Sequence, residues 1–153
     1  MPYTVNPPDS QDSVTAALRE KFPLIPIIPD GLPEGEYKEI KLNPDSSVKP
    51  FIVLWFHTPR RLRTGRSFAN TRLDMRQTGV DVVAVANSGS ESRRILNGVT
   101  DFLINFKPER SGRITESDSS LWSQARPMDI SNRPARWLST TTLQWGMNSE
   151  KIA

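Results

Sequence analysis

The chain has 153 residues, of which 36% are hydrophobic and 13 are prolines, and its formal net charge is +3. This length predicts a single domain spanning residues 1–153, and the small positive charge does not by itself indicate a nucleic-acid-binding protein. The absence of cysteine, the single histidine and the lack of any run of about 18 apolar residues argue against a disulfide framework, a metal site, a bound cofactor and a membrane span.

The N-terminal part of the sequence predicts one helix between two proline-rich segments. Residues 1–9 predict an extended arm, because three of them are prolines. Ser10–Phe22 predicts a helix, because its apolar residues recur at helical spacing. In Pro23–Gly35 a proline recurs every three residues with isoleucines between, which predicts an extended segment lying against the sheet or against a neighbouring subunit. The candidate residues for such an inter-subunit arm are Pro23, Ile25, Ile27 and Ile28.

The middle of the chain predicts the first strands of the sheet. Tyr37–Leu42 alternates apolar and charged residues, as in a short edge strand, and Phe51–His57 is a dense apolar run that predicts the first core strand. Thr71–Gln77 alternates and Val80–Ala86 continues as a strand. Between them, Thr78-Gly79 is either a turn or a bulge within one long strand.

An arginine-rich loop separates these strands. Pro59–Arg66 contains four arginines in eight residues, and no acidic residue follows before Asp74. Three interpretations stay open: a solvated hairpin tip, a subunit contact that pairs arginines with carboxylates, or a contact with DNA phosphates. The candidate residues are Arg60, Arg61, Arg63, Arg66 and, on the following strand, Arg72.

The second half of the sequence predicts a capped helix and a last strand. Ser88 and Glu91 have the spacing of a capping box, and the apolar residues up to Phe106 form a broad helical stripe. Ala135–Met147 predicts the final strand, and residues 148–153 predict a frayed end. Together these elements predict an α+β fold, with an antiparallel or mixed sheet of four to five strands in residues 10–147. Two helices pack on one face, and a long hairpin and proline-rich arms extend from the sheet.

The sequence contains no catalytic constellation. His57 has no orienting carboxylate or nucleophile beside it in sequence, so we interpret it as a strand-end or interface histidine. Asp74, Asp81 and Asp101 fit solvated charges, and no phosphate-binding glycine motif occurs. We therefore expect a protein that is not an enzyme.

The order and texture of these elements resemble the tail terminator proteins of long-tailed bacteriophages, the minor tail protein U-like family. The resemblance covers roughly Val14–Met147. It rests on the helix followed by FPLIPIIPDGLP, the strand FIVLWFH, the arginine-bearing hairpin, the strand and helix VDVVAVANSGSESRRILNGVTDFL, and the final strand RWLSTTTLQWGM.

The resemblance implies a structural protein of the virion tail or neck, assembled in the cytoplasm of a bacterial host. It implies a small α+β sandwich and a hexameric ring that caps the tail tube, stops its polymerisation and offers the surface for head–tail joining. The implied partners are the tail tube protein below, a head-closure or connector protein above, and DNA passing through the lumen. The arginine hairpin would lie near a ring contact or near the lumen.

Two alternatives stay open. Another neck or connector ring protein, such as a head-closure protein or head–tail adaptor, would share the assembly context. A small nucleic-acid-binding protein would instead use the arginines of Arg60–Arg66.

Overall fold

The fold is an α+β sandwich, seen in a computed structural model that describes residues 7–30, 49–61, 73–109, 111–117, 126–127 and 136–150. The elements in chain order are α1 (Pro7–Lys21), β1 (Ile27–Pro29), β2 (Phe51–Phe56), β3 (Arg60–Arg61), β4 (Leu73–Ala86), α2 (Gly89–Leu103), β5 (Thr115–Glu116), β6 (Arg126–Pro127) and β7 (Trp137–Glu150). The edge strand predicted at Tyr37–Leu42 and the first six residues of the predicted arm lie outside the described residues.

The sheet is mixed, and five of its strands form one continuous path in the order β1-β2-β4-β7-β5. Strand β1 runs parallel to β2, and the other pairings are antiparallel. The short strand β3 adds to β4, and β6 adds to β7. This architecture confirms the predicted α+β class with a mixed sheet.

Helix α1 begins at Pro7, three residues before the predicted start at Ser10. Pro7 and Pro8 occupy the first turn, where backbone N–H groups have no partner within the helix, so proline loses nothing there. The expected extended arm is therefore shorter than nine residues. The helix ends at Lys21, just before Pro23, as the sequence predicts.

Helix α2 begins where the capping pattern predicts. The side chain of Ser88, in an extended conformation, accepts a hydrogen bond of 3.2 Å from the backbone N–H of Glu91. The helix then presents Val99 and Leu103, both fully buried, to the sheet.

Both helices pack on one face of the sheet, and the main core lies between them and three central strands. Alternate residues of each strand point to this face, because side chains of a strand alternate between its two sides. The buried residues of this core are Val14, Leu18, Ile27, Ile52, Leu54, Val80, Val82, Val99, Leu103, Ile114, Leu143 and Trp145.

The opposite face of the sheet has two different halves. One half is a smaller buried cluster that comprises Ile28, Phe51, Val53 and Val85. The other half is polar, and Trp55 at its border is 49% exposed.

The strand β7 extends further than the sequence predicts. It continues to Glu150, which pairs with Leu73, so residues 148–150 of the predicted frayed end belong to the sheet.

We predict that Leu103→Ala will lower the free energy of unfolding by about 3–5 kcal/mol, because it removes a fully buried side chain from the core. The matched control is Leu24→Ala, which removes the same atoms from a side chain that is 94% exposed and should change stability by less than about 0.5 kcal/mol. Chemical denaturation measures both. Equal effects of the two substitutions would contradict the assigned core.

Candidate functional site at the base of the arginine hairpin

A β-bulge lies where β2 passes into β3. Phe56 pairs with Val80 and Arg60 pairs with Gln77. Between these two pairs there are four residue steps along β2–β3 but only three along β4. One extra residue therefore lies within His57–Pro59. Strand β4 itself is continuous through Thr78 and Gly79, since every residue from Leu73 to Ala86 pairs with β7. Bulges bend a strand, increase its local twist and re-aim side chains.

The backbone N–H and the backbone carbonyl of His57, which lies in this bulge, both form hydrogen bonds. Its N–H donates to the carbonyl oxygen of Gly79 at 2.8 Å. Its own carbonyl oxygen accepts from the Thr78 hydroxyl at 2.8 Å and from the Gln11 side-chain amide of α1 at 3.0 Å. Three elements of the fold therefore meet at one bulged residue.

The His57 side chain is fixed by a carboxylate. Its Nε2 lies 3.0 Å from Oδ1 of Asp81, and both side chains are 42% exposed. The Thr142 hydroxyl of β7 donates to the same Oδ1 at 2.7 Å. Because Asp81 and Thr142 are directly opposed in the β4–β7 register, the sheet itself places these two groups together.

Gly79 lies close to the His57 imidazole. A Cβ at this position would lie 2.6 Å from the carbonyl oxygen of Leu143 and 3.1 Å from Nδ1 of His57. The close approach of β7 and of the histidine ring therefore requires a residue without a side chain.

A cleft of about 250 Å³ opens beside these groups. Besides His57, Thr78, Gly79 and Thr142, it is lined by Thr58, Gln77, Ser117, Leu143 and Gln144. Six of these nine lining residues carry a hydroxyl or a carboxamide group.

Among the residues that the structure describes, the site holds an oriented imidazole without the arrangement of a nucleophilic triad. A triad needs its nucleophilic hydroxyl on the imidazole, with the carboxylate on the far side of the ring. Here the Thr142 hydroxyl donates to Asp81, and the Thr78 hydroxyl donates to a backbone carbonyl. Within the described residues, no group of three or more histidine, aspartate or glutamate side chains could hold a metal ion.

The arginines predicted as a ring-contact or lumen surface begin directly after this site. Arg60 and Arg61 form β3 and pair with Gln77 and Arg76 of β4, so the predicted hairpin starts here. Arg63, Arg66 and Arg72 lie outside the described residues.

The four residues predicted for an inter-subunit arm are divided by the structure. Ile27 and Ile28 are buried, one in each apolar cluster, and Ile25 packs against the main core. Pro23 is exposed, and the neighbouring Leu24 is the most exposed large hydrophobic residue of the described chain. The two isoleucines are therefore used within the subunit, and any contact of this segment with a neighbour would involve Pro23 and Leu24.

The pairing of His57 with Asp81 was not predicted from the sequence, where His57 was interpreted as a strand-end or interface histidine and Asp81 as a solvated charge. The two residues lie diagonally across neighbouring strands, and only the β2–β4 register reveals this. The sequence contained one indication of this pairing. If the apolar runs FIVLWF and VDVVAVA are aligned as antiparallel strands, Trp55 lies opposite Asp81 and His57 lies two residues away.

No protein-family model matches the chain, and no curated protein matches it significantly. Neither of the two helices in the described part of the chain is long and apolar enough to cross a lipid bilayer.

We predict that Gly79→Ala will lower the free energy of unfolding by about 1–3 kcal/mol, because the new methyl group meets a backbone carbonyl that cannot move aside. In contrast, Gly98→Ala on α2 should raise it by about 0.5–1 kcal/mol, because its Cβ enters open space and alanine favours the helix. Denaturation of both variants is the measurement. A Gly79→Ala variant as stable as the parent would show that β7 does not approach this closely.

Proposed function

We propose that this chain is the subunit of a ring that terminates the tail tube of a long-tailed bacteriophage. In this role it would stop tube polymerisation and present the surface for head–tail joining. The observation that carries the proposal is that the first two residues of the arginine-rich segment, Arg60 and Arg61, form an edge strand on β4 in a sandwich whose helices both lie on one face.

The length of β4 and β7 supports a two-stranded ribbon that projects beyond β2. Strand β2 pairs only with Val80–Val85, so Leu73–Gln77 lies beyond it, a length of about 16 Å at ~3.3 Å per residue. Within the described part of the chain, Leu73–Met75 pairs with β7 alone. A two-stranded ribbon is marginally stable in water by itself, so a contact with a neighbouring subunit would stabilise it.

The distribution of exposed apolar residues supports a ring. A closed ring uses two different surfaces of each subunit, one for each neighbour. The two large exposed hydrophobic residues of the described chain are Leu24, in the turn between α1 and β1, and Trp55, on the face without helices. They lie on separate parts of the subunit, as a head-to-tail contact requires.

The charge of the hairpin supports the proposed partners. Arginine pairs with carboxylates in two-pronged hydrogen bonds and is frequent in subunit contacts. It also contacts DNA phosphates, and a net charge of only +3 would let DNA pass without being retained. The tail tube protein below and a head-closure or connector protein above complete the proposed assembly.

The mass of the purified protein tests the proposal. We expect native mass spectrometry to show a ring, with six copies of the 17.3 kDa chain as the expected number. We also expect that adding the protein to polymerising tube protein will shorten the tubes. A chain that stays monomeric at all concentrations and leaves tube length unchanged would contradict the proposal.

Charge reversal tests the hairpin separately. Arg60→Glu combined with Arg61→Glu should weaken ring assembly at least about tenfold, because like charges in an interface cost more than about 1.4 kcal/mol. The control is Arg93→Glu combined with Arg94→Glu, which makes the same change on the exposed surface of α2. If the two double variants assemble equally well, the hairpin does not lie in the subunit contact.

Because of the same arginines, nucleic-acid binding is the second candidate function. In that case the monomer would bind duplex DNA with a steep salt dependence, and Arg60→Ala with Arg61→Ala would reduce that slope by about two. We expect weak DNA binding by the free subunit, because the proposed role needs DNA to pass. Tight binding by a monomer that never forms rings would favour the alternative.

A further inference from the structure

We propose that Trp55 and Asp81 form a receptor site for a guanidinium group, and that in the ring an arginine of a second copy of this chain occupies it. The arginine comes from the segment Pro59–Arg66 of the neighbouring subunit. This inference deepens the proposed function and rests on it for the source of the arginine. It names the surface that receives the arginines, which the proposed function leaves open.

The sheet places an aromatic ring and a carboxylate side by side on the face without helices. Trp55 of β2 lies directly opposite Asp81 of β4 in the antiparallel register. Side chains opposed in this way point to the same face, with Cβ atoms about 4.5–5.5 Å apart. Trp55 is 49% exposed and the Asp81 side chain is 42% exposed, so a partner can reach both. One cation can therefore contact the ring and the carboxylate together.

The carboxylate of Asp81 is already oriented before any partner binds. Its Oδ1 lies 3.0 Å from Nε2 of His57 and accepts from the Thr142 hydroxyl at 2.7 Å. Because an ionised carboxylate only accepts hydrogen bonds, the imidazole donates from Nε2. Among the described residues both hydrogen bonds end on Oδ1, so Oδ2 can accept from a partner. A group that is fixed in advance loses less conformational freedom on binding, which favours affinity.

The chemistry of these two groups suits a guanidinium. The face of a tryptophan ring attracts cations more strongly than that of the other aromatic side chains. A guanidinium is planar, stacks on such a ring and donates N–H groups in fixed directions to a carboxylate, whereas the lysine ammonium is a compact, strongly hydrated point charge. An anion would be repelled by Asp81.

A neighbouring subunit is the source of the arginine because the nearest arginines of the same chain are too far along the sheet. Arg60 pairs with Gln77, which lies four residues from Asp81 on β4, or about 13 Å at ~3.3 Å per residue. This separation exceeds the combined reach of an arginine and an aspartate side chain. One surface that donates arginines and another that receives them make the head-to-tail contact of a closed ring.

Binding of a peptide tests the site without requiring a ring. The probe is a peptide with the sequence of Pro59–Arg66, titrated against the labelled full chain at a dilution at which it is monomeric. We expect saturable binding by thermophoresis. A matched peptide with lysine at its four arginine positions has the same charge and should bind several-fold more weakly. Equal affinity of the two peptides would overturn the assignment to a guanidinium, and a parent that does not bind the arginine peptide would overturn the site.

Two matched pairs of variants locate the binding. Asp81→Asn keeps an oxygen for the two existing hydrogen bonds but removes the charge, and it should weaken peptide binding about fivefold. Asp101→Asn makes the same charge change on the exposed surface of α2 and should have no effect. Trp55→Ala should also weaken binding about fivefold, because it removes the aromatic face. Its control is Leu24→Ala, which truncates the other large exposed hydrophobic residue of the described chain. Equal affinities within either pair would overturn the site.

The ring assay separates this inference from the proposed function. A parent that stays monomeric would contradict the proposed function, while the peptide still decides whether the site binds a guanidinium. If the parent forms rings, Asp81→Asn should weaken their assembly at least about fivefold and Asp101→Asn should not. Rings of equal stability from these two variants would overturn the role of the site in assembly.

Discussion

The pairing of β4 with β7 is the constraint on which the rest of the structure depends. Fourteen residues of each strand are opposed without interruption, from Leu73 with Glu150 to Ala86 with Trp137. The strands β2 and β3 attach to the outer side of β4, while β5 and β6 attach to β7. Because side chains alternate along a strand, a slip of one residue in this single register would exchange the two faces of the sheet.

The same register builds both the core and the candidate site. It places Val80 opposite Leu143 on the face that the helices cover, and Asp81 opposite Thr142 on the other face. Two buried hydrogen bonds between the helices and β7 also favour this register. Ser92 of α2 bonds Ser139 at 2.9 Å, and the Trp145 indole donates to Ser10 of α1 at 3.2 Å. A slipped strand would leave these groups buried without partners, at a cost of about 1–3 kcal/mol for each group.

Periodicity made the long elements predictable from sequence. Phe51–His57, Val80–Ala86 and the stripe from Ile95 to Phe106 carry enough apolar residues in one period to identify two strands and a helix. The start of α1 was predicted too late, because proline in a first turn does not prevent a helix. The extent of β7 was underestimated, because its last residues are polar and their place in the sheet depends on pairing with β4.

The candidate site was not predictable in the same way. Its groups come from α1, from the bulge and from two strands that lie about sixty residues apart in sequence, so no local pattern connects them. The bulge arises because two strand pairings differ in register by one residue, and neither pairing is visible in a single segment. The strands that flank the arginine-rich segment were predictable, because their apolar residues are contiguous, whereas Arg63, Arg66 and Arg72 lie outside the described residues.

A stable sandwich carries the arginine-rich segment, for which we propose a role in assembly. The helices and the β4–β7 pair supply the stability, and Arg60 and Arg61 continue the sheet along β4. The central claim is that this hairpin lies in a ring at the end of a tail tube. Electron cryomicroscopy of tubes assembled with the protein tests this most directly. We expect ring density at one tube end, with the hairpins at subunit contacts or at the lumen. Tubes with bare ends, or a ring whose hairpins point to solvent on its outer rim, would contradict it.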